Sequence, residues 1–122
     1  MSGQGSTAAK QALESGARFL QVQTTTDSRA EAIELARAAV EARLAACAQV
    51  VGPVASTYWW EEAVERAEEW LLLLKLPVGG FQALADFLDE QHSYDEPEIV
   101  AVPIVAGSDS YLNWIQEETR RA

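Results

Sequence analysis

Among 122 residues there is one cysteine, Cys47, and one histidine, His92. A single cysteine excludes an internal disulfide and makes a reducing, cytoplasmic setting the default expectation. One of each also leaves a transition-metal site short of the three or four ligands it normally needs. Basic residues are scarce: 9 Lys and Arg stand against 19 Asp and Glu, for a formal net charge of −10. That balance argues against nucleic acid and against anionic membrane surfaces, which both call for clustered cations. No apolar run approaches the roughly 20 residues of a membrane-spanning helix. The opening MSGQGSTAAKQALESG has no apolar segment of the secretory-signal kind. Neither a P-loop, nor GxGxxG, nor GxSxG occurs, and nothing in the chain indicates an enzyme or a required cofactor.

What is present fits one globular domain with a real core: the length suits a single domain, and 48% of the residues are hydrophobic. Residues 1–16, with three Gly and three Ser, are expected to be a disordered extension, leaving 17–122 as the domain. RFLQVQT (18–24) reads as a strand with Leu20 and Val22 on one face. A long Ala-rich helix follows, with Ser28 and Glu31 as a capping-box signature and Ile33, Ala36, Val40 and Leu44 as the expected inner stripe. CAQVVGPVASTYWW is β-like, with a bulge or bend expected at Gly52-Pro53. EEAVERAEE is acidic and runs into the strand WLLLLKL. If this strand is continuous it spans about 50 Å, against about 35 Å for a compact chain of this size. A second helix should bury Phe81, Leu84, Ala85 and Leu88; PEIVAVPIV is another strand; Ser108 or Asp109 caps a last helix carrying Leu112, Trp114 and Ile115. The order β-α-β-β-α-β plus a terminal helix predicts an α+β fold, the ferredoxin-like split βαβ sandwich. WLLLLKL and IVAVPIV are apolar on both sides, so the second sheet face needs cover, from the last helix and from other copies of the chain.

The chemistry-bearing residues are few. His92, in HSYDEPEI, is the natural metal candidate, with Asp95, Glu96 and Glu98 as neighbouring carboxylates; the alternative is a structural corner at a helix C-terminus, which we favour. Cys47 is a secondary metal candidate among small apolar residues, where a free cysteine usually packs as a small hydrophobe. Lys75 interrupts an apolar strand and needs a partner or a wet cleft, and Glu98 is the expected partner. Tyr58, Trp59, Trp60, Trp70 and Trp114 suggest interface and core packing, with a stacking platform as the alternative. Glu61, Glu62, Glu65, Glu68 and Glu69 read as a solvated hairpin face; they lack the spacing and loop glycine of an EF-hand.

Taken in order, RLAAC (43–47), GPVASTYWWE (52–61), LLLLK (71–75), HSYDEPEIVAVPI (92–104) and SYLNWI (110–115) resemble the CutA family of divalent-cation tolerance proteins, over about residues 18–119. The resemblance implies a ferredoxin-like fold and a tight homotrimer of the PII type, built by sharing the long hairpin strands. It also implies a role in tolerance of copper and other divalent cations; weak binding of copper or a similar ion is our first reading of its ligand. Its cleft near the subunit boundary would gather Lys75, Tyr94 and Glu98, with Tyr58, Trp60 and Trp114 nearby. A small anionic ligand held there, with Lys75 as counter-ion, is the alternative, and a plain trimeric scaffold a third reading. The chain departs from the family at Ser93, where Pro is usual, and at the hairpin tip Glu61-Glu62-Ala63, where the loss of Gly predicts a wider turn. Thr24 and Gln91 stand where some members carry Cys and His.

Overall fold

The computed structural model describes the backbone of residues 2–120 and the side chains of residues 7–120. Its organising element is β1 (Phe19–Thr26), which pairs antiparallel on one edge with β3 (Ala63–Pro77) and on the other with β4 (Val100–Ile104). β2 (Cys47–Trp60) pairs with β3 in turn, giving the sheet order β2-β3-β1-β4. Helix α2 (Arg29–Glu41) connects β1 to β2, and α3 (Phe81–Gln91) connects β3 to β4 after a single 3-10 turn (Val78–Gly80). This is the expected α+β, split βαβ arrangement, closed by α4 (Asp109–Arg120).

Alternation along the strands separates two faces. Leu20, Val22, Leu72, Leu74 and Leu76 point to one side, where they form the main core with Leu35 and Ala39 of α2 and with Phe81, Leu84 and Leu88 of α3. The α3 stripe is buried as the sequence predicts at Phe81, Leu84 and Leu88, while Ala85 is partly buried against the core. The α2 stripe is not: Ala32, Leu35 and Ala39 are buried, while Ile33 is 43% exposed. Ala36 and Val40 are only partly buried against the core. The inner face of α2 is mostly alanine, so the larger Ile33 misleads a reading by side-chain size. At the helix start, the Ser28 side chain accepts from the Glu31 N–H at 3.1 Å, as a capping box requires.

The segment expected to be disordered carries helix α1 (Ser2–Glu14) instead. Its last nine residues, STAAKQALE, are rich in the strongest helix formers. Ala8 and Ala12, one turn apart, pack against the main core. Gly16, at φ +81°, follows the helix end in the left-handed conformation that glycine adopts at least cost. Met1 and residues 121–122, which the expected extension and domain span include, lie outside the described residues.

β3 is continuous over 15 residues, about 50 Å at the usual rise, so the acidic stretch is strand rather than loop. Only Trp70–Pro77 pairs with β1. The other half, Ala63–Glu69, pairs with β2 alone and forms a two-stranded ribbon beyond the sheet. The register shifts between Val51 and Val54, where the bulge at Gly52-Pro53 was expected. A Cβ at Gly52 would stand 2.6 Å from the Trp70 ring, so glycine is needed there to let the indole close over the backbone. The tip is tight, not wider: Trp60 pairs with Ala63, and Glu61 and Glu62 both take positive φ (48° and 65°). Two such residues are what a two-residue hairpin turn demands, at a cost of about 1–2 kcal/mol each without glycine.

Candidate functional site

His92 is the C-cap of α3, its backbone N–H on the Leu88 carbonyl at 3.0 Å. Extended dihedrals there turn the chain back toward β1. The ring is fully buried rather than on the surface. Its Nε2 lies 2.8 Å from the Thr25 carbonyl oxygen and its Nδ1 accepts from the Tyr94 N–H at 3.1 Å. An acceptor at Nδ1 places the proton on Nε2, which donates to Thr25. Both nitrogens are thus committed. The ring thus bonds to β1 rather than to the last carbonyls of its own helix.

Around the ring the corner is locked by carboxylates. Glu31 of α2 accepts from the Ser93 N–H at 2.9 Å and from its hydroxyl at 2.8 Å. A proline at 93 would supply neither donor, so the departure from the family pattern makes a clasp between α2 and the corner. The Tyr94 ring lies against His92, centroids 4.9 Å apart, and its hydroxyl donates to Glu69 at 2.8 Å. Burial, then the Glu69 carboxylate, push the Tyr94 phenol well above its ordinary range. Glu69 itself is only 8% exposed, so it does not belong to the solvated acidic face, whose other members are exposed. Its place at the base of the ribbon, where β3 joins the sheet, explains why its neighbours in sequence gave no sign of it.

Lys75 does not meet Glu98. β1 lies between β3 and β4, and Glu98 is an exposed residue ahead of β4. Lys75 sits on the sheet face away from α2 and α3, opposite Cys47 on β2 and Gln21 on β1. Its ammonium donates to Gln49 Oε1 at 2.7 Å and lies 4.0 Å from Cys47 Sγ. The sulfur is also 3.6 Å from the Tyr111 hydroxyl of α4. That contact, then burial, raise the Tyr111 phenol. Tyr111 stacks on Trp114, centroids 5.6 Å apart, both about two-fifths exposed. Below this pair Ile115 and Leu112 of α4 pack with Phe19, Ala46 and Ile104, so α4 covers part of the second face, as expected.

The candidate residues therefore fall into three groups. His92 and Tyr94 form a corner on the helix-covered side; Lys75, Cys47 and Trp114 cluster on the other face; Tyr58 and Trp60 stand on the ribbon, 42% and 57% exposed. Within one chain they share no cleft. The residues present do not fit a divalent-cation site within one chain: among the described residues no three His, Cys, Asp or Glu side chains are gathered to hold a metal ion, and the two metal candidates lie on opposite sides of the sheet.

Residues 20–118 match the family described as CutA1 divalent ion tolerance protein. The chain is 41% identical over 95 residues to the divalent-cation tolerance protein CutA of Thermus thermophilus, covering 78% of this chain and 92% of that one. It is 37% identical over 99 residues to the chloroplastic protein CutA of Arabidopsis thaliana, covering 81% of this chain. The chain spans about half the length of that relative, 54%. The solved periplasmic divalent cation tolerance protein CutA of Archaeoglobus fulgidus superposes with a TM-score of 0.81 at 33% identity, over 84% of this chain and 98% of that one. The chain belongs to the CutA1 divalent ion tolerance family, and α1 lies outside the matched span. No helix among the described residues is long and apolar enough to cross a membrane.

Proposed function

We propose that the protein acts without catalysis, as a homotrimer, in tolerance of divalent cations. The ribbon carries this reading. Tyr58, Trp59, Trp60 and Val64 are 42–74% exposed on a two-stranded element that leaves the sheet, and such a hairpin is marginal in water on its own. The open sheet face offers a matching surface: Val100 and Val102 are 46% and 40% exposed. Laying each ribbon on a neighbouring copy covers both and brings Tyr58 and Trp60 to a subunit boundary. Light scattering at micromolar concentration should give the mass of three chains; a monomer mass overturns the reading. Copper or a related ion meets only shared or surface ligands in this scheme, so calorimetric titration should show weak binding. One relative is named for the chloroplast and one for the periplasm; a cytoplasmic placement for this chain rests on its single cysteine.

A second reading has its own observation. Among the described residues no carboxylate pairs with Lys75, whose bonded partner is the neutral Gln49. A half-buried cation without a counter-charge suits a small anionic ligand at that face. A thermal-shift screen of small carboxylates and phosphates tests it: a ligand at one hundred times its Kd adds about 2.7 kcal/mol to the native state. No shift with any of them removes this reading and leaves the first intact.

A further inference from the structure

Cys47 and Lys75 stand directly opposite each other on β2 and β3. Opposed residues of an antiparallel pair share a face, with Cβ atoms about 4.5–5.5 Å apart. Here the lysine stem brings Nζ to 4.0 Å from Sγ. The Tyr111 hydroxyl lies 3.6 Å from the same sulfur. Gln49 holds the amine at 2.7 Å from the side. A nucleophilic sulfur and a primary amine are thus fixed as neighbours by the strand register, by a neutral tether and by a phenol roof. Neither is used by the corner at His92. Among the described residues no carboxylate pairs with the amine, and the sulfur has no second cysteine in the sequence to pair with.

We propose that Cys47 and Lys75 form a reversible sulfenamide under oxidation by a hydroperoxide. In the first step the Cys47 sulfur attacks a peroxide oxygen; the S–O bond forms, the O–O bond breaks, and the departing hydroxide takes the thiol proton as water. Sulfur is oxidised by two electrons and the peroxide is reduced. In the second step Lys75, after its ammonium loses a proton to solvent, attacks the sulfenic sulfur through Nζ. The S–N bond forms, the S–O bond breaks, and the hydroxide leaves as water with the second proton from nitrogen. One thiol, one amine and one hydrogen peroxide become one sulfenamide and two waters. An added thiol reverses the link: it attacks sulfur, the S–N bond breaks, nitrogen regains its proton, and a second thiol resolves the mixed disulfide. The link staples β2 to β3 and shields the only cysteine from irreversible oxidation to the sulfinic acid. It rests on groups within one chain and is independent of the oligomeric reading.

The test uses the full chain, reduced, freed of reductant and treated with hydrogen peroxide at mildly alkaline pH. Intact mass in denaturant should fall by about 2 Da, the loss of two hydrogens. Digestion should yield the Cys47 and Lys75 peptides joined, and dithiothreitol should separate them. Lys75→Arg keeps the cation but removes the primary amine, so Cys47 should gain oxygen instead. The proposal is overturned if the wild-type chain gains oxygen at Cys47, forms only disulfide-linked dimers, or leaves Cys47 unmodified, with no joined peptide. If Lys75→Arg does not fold, the wild-type peptide map decides alone.

Discussion

Leu72, Leu74 and Leu76 leave one side of β3, and Leu71, Leu73 and Lys75 leave the other. The first three are fully buried; the second three are only partly so. Lys75 aside, both sets are leucines of one apolar run and differ only by strand parity. The helix-covered side is settled within the chain, by α2, α3 and the His92 corner. The other side is roofed by α4 at one end and left open at the other. What separates the two is therefore not residue character but which element folds back, and that is decided far away in sequence.

Truncating one side and then the other breaks the comparison most sharply. Leu74→Ala should cost about 2–5 kcal/mol in chemical denaturation, because a fully buried leucine leaves a cavity. Leu73→Ala should shift the assembled mass more than the unfolding of the chain; equal losses of stability from the two would mean that the faces are equally closed. His92→Ala comes next. It strands the Thr25 carbonyl and the Tyr94 N–H in the interior, at a cost of about 1–3 kcal/mol. A change within experimental error would show that the corner is not held by the ring. Glu62→Gly relieves a positive φ at the tip and should stabilise by about 1 kcal/mol; the midpoint of a urea curve reads it directly.

The smallest effect is in pH. Tyr94 in the native state keeps its proton above the range where an unfolded tyrosine, near pH 10, loses it. The unfolded state then binds fewer protons, so stability falls as pH rises above about 10 and is fully present below it. Tyr94→Phe should flatten that slope. An unchanged slope would assign the alkaline loss to other groups.

Much of this was legible in the chain, and the failures share a cause. The β1 alternation, the α3 stripe, the Ser28 cap and the bulge at Gly52-Pro53 are local signals, each set by residues a few positions apart. The Lys75–Glu98 pairing failed because two strands that look adjacent in a reading of their ends are separated by β1. Glu69 was lost in its acidic run because its burial depends on Tyr94, 25 positions on. In α2 the inner face is built from alanines, which carry little pattern. α1 was missed because its glycine- and serine-rich start hid the helix formers after it. The resemblance to the family added the sharing of long hairpin strands and marked Ser93 as a departure, but not what its two donors do, which depends on Glu31, 62 positions away.

The ribbon has a consequence for how the chain stays in solution. β2 is an edge strand of 14 residues carrying two exposed tryptophans, the kind of segment that templates strand-to-strand aggregation. Around it stand Glu61, Glu62, Glu65 and Glu68, all exposed. Like charges on every copy keep newly made ribbons from zipping onto one another at random. The same acids, which play no part in the corner or the thiol cluster, have the character of gatekeeper charges beside an exposed apolar strand.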